Sequence, residues 1–124
     1  MFKVLLVEDS ETMRSLIAAA LDELADCELM AVANGLEALR ALTQHSFALI
    51  ITDINMPTLN GLELLRFIRS APGTQATPVL MVTSEGADVD RQRAMALGAT
   101  AYLAKPFTPA ALCQCVQALL VAPA

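Results

Sequence analysis

The chain has 124 residues, enough for one hydrophobic core, and its 56% hydrophobic and 17% charged residues exclude a disordered segment. A formal net charge of −5 argues against a nucleic-acid-binding surface, which would need a stripe of basic residues. No apolar stretch approaches the roughly 18 residues of a membrane span, and residues 1–4 lead straight into a strand pattern rather than a signal peptide.

In chain order, the first half predicts three strands with two helices between them. Short apolar runs without helical period predict strands over residues 3–7, 29–33 and 47–52. A helix over residues 36–44 precedes the third strand. An earlier helix is predicted from apolar residues at helical spacing, which are Met13, Ile17, Ala20, Leu21 and Leu24.

The second half continues the alternation. Strands are predicted over residues 79–82 and 100–104, and between them a helix over residues 88–97 that Gly98 caps. The helix before the fourth strand has its apolar face at Leu62, Leu65 and Ile68. The last helix tolerates Pro109 in its first turn and has an apolar face formed by Leu112, Val116, Leu119 and Leu120.

Strands separated by helices predict an α/β fold, in which right-handed βαβ units form a parallel sheet covered on both faces. No repeat, low-complexity tract or linker interrupts the pattern. We therefore predict a single domain over residues 1–121, followed by a short tail at residues 122–124.

The three cysteines, Cys27, Cys113 and Cys115, are odd in number and lack the spacing of a metal site. We interpret them as small packing residues in a reduced environment, which predicts a cytoplasmic protein. His45 lies in a polar stretch without a partner histidine or cysteine, and we predict that it is a solvated helix end.

Polar residues stand at the carboxyl ends of four predicted strands. In open α/β sheets these ends meet at one edge, where ligands bind. Residues that are far apart in the sequence are therefore predicted to converge there, namely Glu8, Asp9, Asp53, Thr83 and Lys105.

The acidic residues at this edge predict a divalent cation site. Asp9 and Asp53, with the backbone carbonyl of Asn55 and water, offer the oxygen ligands that Mg²⁺ prefers. Glu8 would act through a bound water. A cation would also offset the repulsion between carboxylates that lie close together.

The remaining residues predict a phosphoryl site. Lys105 supplies a fixed positive charge, and Thr83 offers a hydroxyl to a phosphoryl oxygen. Asp53 is the candidate nucleophile, and attack by its carboxylate would form an aspartyl phosphate. The small side chain of Ser84 leaves the approach open.

Each of these residues has an ordinary interpretation when it is considered alone. Asp9 or Ser10 is a candidate cap of the first helix, and Thr83 with Ser84 is ordinary turn material. Lys105 alone would be a surface lysine before a proline. The joint pattern, rather than any single residue, predicts the site.

Four segments resemble the receiver domain of two-component response regulators. They contain the acidic pair, the acceptor strand, the switch hydroxyl and the lysine–proline turn of that family. The segments are residues 4–10, residues 52–57 with Gly61, residues 82–84 and residues 98–107. The resemblance covers essentially the whole chain in the family's order and spacing.

The resemblance implies a flavodoxin-like (βα)5 fold with strand order 2-1-3-4-5 and a cis bond before Pro106. It implies that Asp53 accepts a phosphoryl group from a histidine kinase or a histidine phosphotransfer protein. Asp9 and the Asn55 carbonyl would bind Mg²⁺ with Asp53, Glu8 would be an outer-shell acid, and Thr83 and Lys105 would hold the phosphoryl group. The family's usual Asp-Asp pair is Glu-Asp here, and Ser84 replaces a common alanine.

The family also implies how the signal is passed on. Thr83 would move toward the phosphoryl group, and Tyr102 would pack into the space that it leaves. The surface of the helix over residues 88–97, the fifth strand and the last helix would then contact an output protein. The alternative is a purely structural Tyr102, packed in one position. Asn55 and Glu85 resemble chemotaxis-type receivers and hint at rapid self-dephosphorylation.

Three other classes remain as alternatives. A phosphatase of the haloacid dehalogenase type would need an aspartate at position 55, where this chain has Asn55, and a flavin-binding protein would need a phosphate loop where Glu8 and Asp9 stand. A degenerate receiver that serves as a scaffold lacks part of the constellation. A receiver cut from a longer regulator would look the same as a stand-alone one. We expect a monomer or an activation-dependent dimer.

Overall fold

A computed structural model of the chain describes residues 1–84 and 88–120. Within these ranges strands and helices alternate, as predicted. The strands are β1 (Phe2–Val7), β2 (Cys27–Val32), β3 (Leu49–Asp53), β4 (Val79–Ser84) and β5 (Ala101–Lys105). The helices are α1 (Glu11–Leu21), α2 (Gly35–Gln44), α3 (Gly61–Ser70), α4 (Asp88–Ala96) and α5 (Pro109–Leu120).

The five strands form one parallel sheet in the order β2-β1-β3-β4-β5. This order confirms the predicted flavodoxin-like fold. The sequence of connections reverses direction between β1 and β3, so the carboxyl ends of these two strands flank the crevice where ligands bind in such sheets. Glu8 follows β1, and Asp53 ends β3.

Both faces of the sheet are covered, because side chains alternate along each strand. In β1, Leu5 and Val7 enter one core, while Val4 and Leu6 enter the other. The α2–α4 core contains buried residues of α2, α3 and α4, which are Ala38, Ala41, Leu64, Leu65, Ile68 and Ala94. The α1–α5 core contains buried residues of α1 and α5, which are Ile17, Ala20, Leu21, Leu112, Val116 and Leu120.

Polar side chains cap the helices that lie next to the site. The Ser10 hydroxyl accepts a hydrogen bond from the backbone N–H of Met13 and caps α1, one of the two candidates for this role. Asn60 and Glu63 form a reciprocal capping box at α3. Gly98, with a φ of 103°, follows α4 as predicted.

Several predicted ends differ from the observed ones. Leu24 lies beyond α1, which ends at Leu21, although Leu24 still packs against the α1–α5 core. Strand β2 begins at Cys27 rather than at residue 29, because Cys27 pairs with Phe2 at the start of β1. Apolar periodicity reports burial, and burial continues past the last hydrogen-bonded residue of a helix.

The three cysteines are half-buried, free, and packed against the α1–α5 core, as the packing interpretation requires. His45 is the C-terminal cap that follows α2, and it is half-buried rather than fully solvated, because Lys3 and Phe47 lie against it. None of the helices in the described ranges combines the length and the apolar character that a membrane span requires. The predicted tail at residues 122–124 lies outside the described residues, and the domain boundary stays a prediction.

Gly61 lets the first turn of α3 approach the end of β3. A Cβ atom at this position would lie 2.2 Å from the backbone carbonyl oxygen of Asp53, which cannot rotate away. We expect Gly61→Ala to lower the free energy of unfolding by about 2 kcal/mol, since α3 or β3 must shift. Urea unfolding of the variant measures this change.

Gly73→Ala is the matched control, because nothing lies within 4 Å of a Cβ atom built there. We expect its free energy of unfolding to stay within about 0.5 kcal/mol of the wild-type value. Equal midpoints for the two alanine variants would show that the close approach at Gly61 is not needed.

Candidate functional site

The carboxyl ends of β1, β3, β4 and β5 carry the predicted site residues, and the structure brings them together at one edge of the sheet. Asp53 ends β3 and is 7% exposed, and Glu8, directly after β1, is 1% exposed. Lys105 ends β5 with a side chain that is 21% exposed. Asp53 and Glu8 are therefore buried, and Lys105 is half-buried beside them.

Lys105 bridges the two buried carboxylates. Its Nζ atom donates to Asp53 Oδ2 at 3.0 Å and to Glu8 Oε1 at 3.1 Å. Burial acts to lower the pKa of Lys105, but the hydrogen bonds and charges of Asp53 and Glu8 outweigh it, and the net shift of this pKa is upward. Lys105 is therefore a protonated cation beside the Asp53 carboxylate.

Glu8 is held in place by Lys105, Ser10 and Arg14. Its Oε2 atom accepts a hydrogen bond from the Ser10 backbone N–H at 3.0 Å, and its backbone carbonyl accepts one from Arg14 Nη1 at 2.9 Å. Burial raises the pKa of the Glu8 carboxyl, and the nearby charge of Asp53 acts in the same direction, while the contacts with Ser10 and Lys105 partly offset both. A cation beside this carboxyl group therefore favours its ionised form.

Three carboxylates are close enough to share such a cation. Oxygen atoms of Glu8, Asp9 and Asp53 all lie within 4.8 Å of one another. Asp9 is exposed at the mouth of the site, whereas the other two are buried. The set consists entirely of oxygen donors, which fits a hard divalent cation that retains water ligands.

Thr83 lies on β4 beside the ion pairs. Thr83 is fully buried, and its hydroxyl has no hydrogen-bond partner among the described residues. A buried hydroxyl without a partner costs free energy, so its presence here calls for an explanation. A phosphoryl oxygen placed at the strand ends would supply the missing acceptor.

The loops complete the edge of the site. The Asn55 backbone N–H donates to Asp53 Oδ1 at 3.3 Å, which holds the start of the β3–α3 loop against the Asp53 side chain. Ser84 ends β4 and is exposed, and the Lys105–Pro106 peptide bond is cis, as predicted. Glu85, which with Asn55 resembles chemotaxis-type receivers, lies outside the described residues.

No sequence pattern predicts the contacts of two arginines, Arg14 and Arg91. Arg14 ties α1 to the Glu8 backbone, and the Arg91 guanidinium carbon lies 5.6 Å from the centre of the Tyr102 ring. Neither follows a strand or belongs to a spaced motif. Their roles depend on where a long side chain reaches, which apolar periodicity does not predict.

A family model described as "Response regulator receiver domain" matches residues 4–117. A chemotaxis protein CheY homolog of Campylobacter jejuni is 39% identical over 111 residues, which cover 89% of this chain and 85% of the homolog. Chemotaxis protein CheY1 of Helicobacter pylori is 35% identical over 119 residues, covering 95% of this chain and 96% of that protein.

Solved structures agree with these relatives. The chemotaxis response regulator CheY4 of Vibrio cholerae has a TM-score of 0.89 and 38% identity, and the match covers 97% of this chain and 99% of that one. The receiver domain of the sensor histidine kinase PA1611 from Pseudomonas aeruginosa, with a magnesium ion coordinated in its active site cleft, has a TM-score of 0.89, 30% identity and 98% coverage of both chains. The chain belongs to the response regulator receiver domain family and is similar to the CheY proteins of bacterial chemotaxis.

Proposed function

We propose that the chain is a phospho-accepting signalling domain, in which Asp53 takes a phosphoryl group from a histidine kinase or a histidine phosphotransfer protein. Receiver domains work with such partners. The observation that carries the proposal is the double contact of Lys105 with Asp53 and Glu8 at the carboxyl edge of the sheet. This contact places a fixed cation beside the buried carboxylate of Asp53.

Mg²⁺ belongs to the same proposal. Asp9, Asp53 and the backbone carbonyl of Asn55 would bind it, and Glu8 would contact it through water. The carboxylate oxygens that lie within 4.8 Å of one another support this set. Bound there, the ion would supply positive charge to the phosphoryl oxygens.

The transfer itself is a displacement at phosphorus. A carboxylate oxygen of Asp53 forms a bond to phosphorus, while the bond from phosphorus to the donor breaks and its electron pair leaves with the donor. Lys105 holds a phosphoryl oxygen through its ammonium group. The Thr83 hydroxyl, which has no hydrogen-bond partner among the described residues, donates to another. Lys105 and Thr83 would therefore both stabilise the negative charge that the phosphoryl group brings to the site.

Phosphorylation would act on other proteins through the surface of α4, β5 and α5. Thr83 moves toward the phosphoryl group, and Tyr102 is the two-state element whose packing changes. The output partner is a protein that binds this surface, and the domain acts as a monomer or as a dimer formed on activation. The likeness to CheY proteins favours a chemotaxis pathway.

The domain is then a phospho-acceptor rather than a turnover enzyme, although it takes part in its own phosphorylation and dephosphorylation. A cytoplasmic location, predicted from the cysteines, fits this role. The competing proposals are a scaffold that does not accept phosphate and a receiver that belongs to a longer regulator. The intact acceptor, acids and lysine favour an active acceptor over the scaffold.

Incubation with acetyl phosphate tests the acceptor function. We expect intact-mass spectrometry to show one added phosphoryl group in the presence of Mg²⁺, and none when the metal is chelated, because the acidic cluster needs a cation before an anionic donor can enter. A folded protein that gains no mass during continuous exposure to donor and metal would favour the scaffold.

A further inference from the structure

We propose that Arg91 is a latch on the switch tyrosine, holding the Tyr102 ring in its half-buried position until Asp53 is phosphorylated. This inference rests on the proposed function, because it assigns a positioning role to a residue that acts through Tyr102. The observation behind it is the position of the Arg91 guanidinium over the Tyr102 ring, with its carbon atom 5.6 Å from the ring centre.

The register of the sheet places Tyr102 and Thr83 on the same face. Tyr102 lies beside Met81, and two residues further along β5 Ala104 lies beside Thr83. Because side chains alternate along a strand, Thr83 and Tyr102 both point toward the α2–α4 core. Only the methyl group of Ala104 stands next to Thr83 on β5, so a movement of Thr83 would open space on the side of Tyr102.

Helix α4 buries little of its surface against the rest of the domain, so the contact of Arg91 with Tyr102 is a substantial part of its packing. Of its nine residues only Ala94 is buried, while Val89 is 60% and Met95 46% exposed. Arg91 is exposed, and it forms no salt bridge with the part of the chain that the structure describes. Its contact with the ring is therefore a direct link between α4 and β5.

The contact opposes the inward movement of Tyr102. A guanidinium within about 6 Å of an aromatic centroid is attracted to the face of the ring, and a ring that turns inward loses this attraction. At an exposed guanidinium the loss amounts to about a two- to fivefold change in the equilibrium between the half-buried position of Tyr102 and a position further inward. Arg91 thereby increases the population of the inactive position of Tyr102 in the unphosphorylated domain.

Tyr102 is the only tyrosine, and the chain contains no tryptophan, so one spectroscopic label reports on the switch alone. The test is ¹⁹F NMR of the full chain carrying 3-fluorotyrosine, with and without acetyl phosphate and Mg²⁺. Four proteins are compared, and phosphoryl uptake is followed by intact mass on the same samples. They are wild type, Arg91→Gln, Arg91→Lys and Arg93→Gln. Arg93→Gln is the matched control, because it removes the same charge from an exposed position of α4.

We expect Arg91→Gln, without donor, to move the resonance toward its position in phosphorylated wild type. Arg93→Gln should leave it unmoved, and Arg91→Lys should restore most of the wild-type position because it keeps a cation over the ring. After phosphorylation the resonances of wild type and Arg91→Gln should converge, since the ring has then left the guanidinium.

Three results would overturn the latch, and each identifies a different error. If Arg91→Gln matches Arg93→Gln while phosphorylation still moves the wild-type resonance, the latch is wrong and the proposed function stands. If a mass-verified phosphoryl group leaves the resonance unmoved, Tyr102 is not the switch. If no protein takes up a phosphoryl group, the proposed function itself fails, and the latch fails with it.

Discussion

Asp53→Asn should take up no phosphoryl group from acetyl phosphate, while the domain remains folded. An amide has no anionic oxygen to attack phosphorus, and its shape matches the carboxyl that it replaces. The substitution also removes one negative charge from beside Glu8, which offsets part of the lost contact with Lys105. We therefore expect a change in stability of about 1 kcal/mol or less alongside a complete loss of the adduct.

Intact-mass spectrometry measures the adduct, and urea unfolding measures the stability. Asp22→Asn is the matched control, because it makes the same chemical change at the exposed C-terminal cap of α1. It should gain one phosphoryl group, as the wild type does. An adduct of equal yield on Asp53→Asn would assign the acceptor to another residue and refute the proposed role of this strand end.

The convergence of the site could be predicted because it follows from topology. Parallel strands bring their carboxyl ends to one edge, so Glu8, Asp53 and Lys105 had to approach each other once the strand order was known. The strand order itself came from the family resemblance, since alternating strands and helices are compatible with other orders. Periodicity alone therefore predicts the fold class and the edge of the sheet, but not which strands lie next to each other.

The finer geometry could not be predicted, for two physical reasons. The double contact of Lys105 and the direction of the buried Thr83 hydroxyl depend on rotamers, which a strand pattern leaves open. Arg14 and Arg91 act at the far end of long side chains, so neither position marks them as functional. The half-burial of His45 likewise results from packing against Lys3 and Phe47, to which its polar neighbours in the sequence give no clue.

Lys105→Ala should lower the free energy of unfolding at neutral pH by about 3 kcal/mol, measured in metal-free buffer. Removing one partner of a buried ion pair leaves the other without compensation, and here both Glu8 and Asp53 lose their cation. Lys3→Ala is the control, because Lys3 is the other lysine of the chain and its ammonium contacts only His45 among the described residues.

The loss should depend on pH with a definite sign. The pKa of Glu8 is raised in the folded protein by burial, and removing Lys105 raises this pKa further. The folded variant then binds more protons than the unfolded chain above the usual carboxyl pKa of 4.5, so its stability falls as pH rises through that window. The gap between wild type and Lys105→Ala should therefore be small at about pH 4 and largest near neutral pH. A gap that does not change with pH would show that Glu8 is not held by Lys105.

Mg²⁺ separates the two roles of the lysine. The acidic cluster keeps its oxygen ligands in Lys105→Ala, so the metal should still bind and restore about 1.4 kcal/mol at a free concentration near ten times its Kd. The variant should nevertheless fail to pass the signal, because no ammonium group then draws the phosphoryl oxygens toward β5. The ¹⁹F resonance of labelled Tyr102 is the readout, on protein whose phosphoryl content is verified by mass. A wild-type response in Lys105→Ala would restrict this residue to a role in stability and leave Thr83 as the sole link between the phosphoryl group and the output surface.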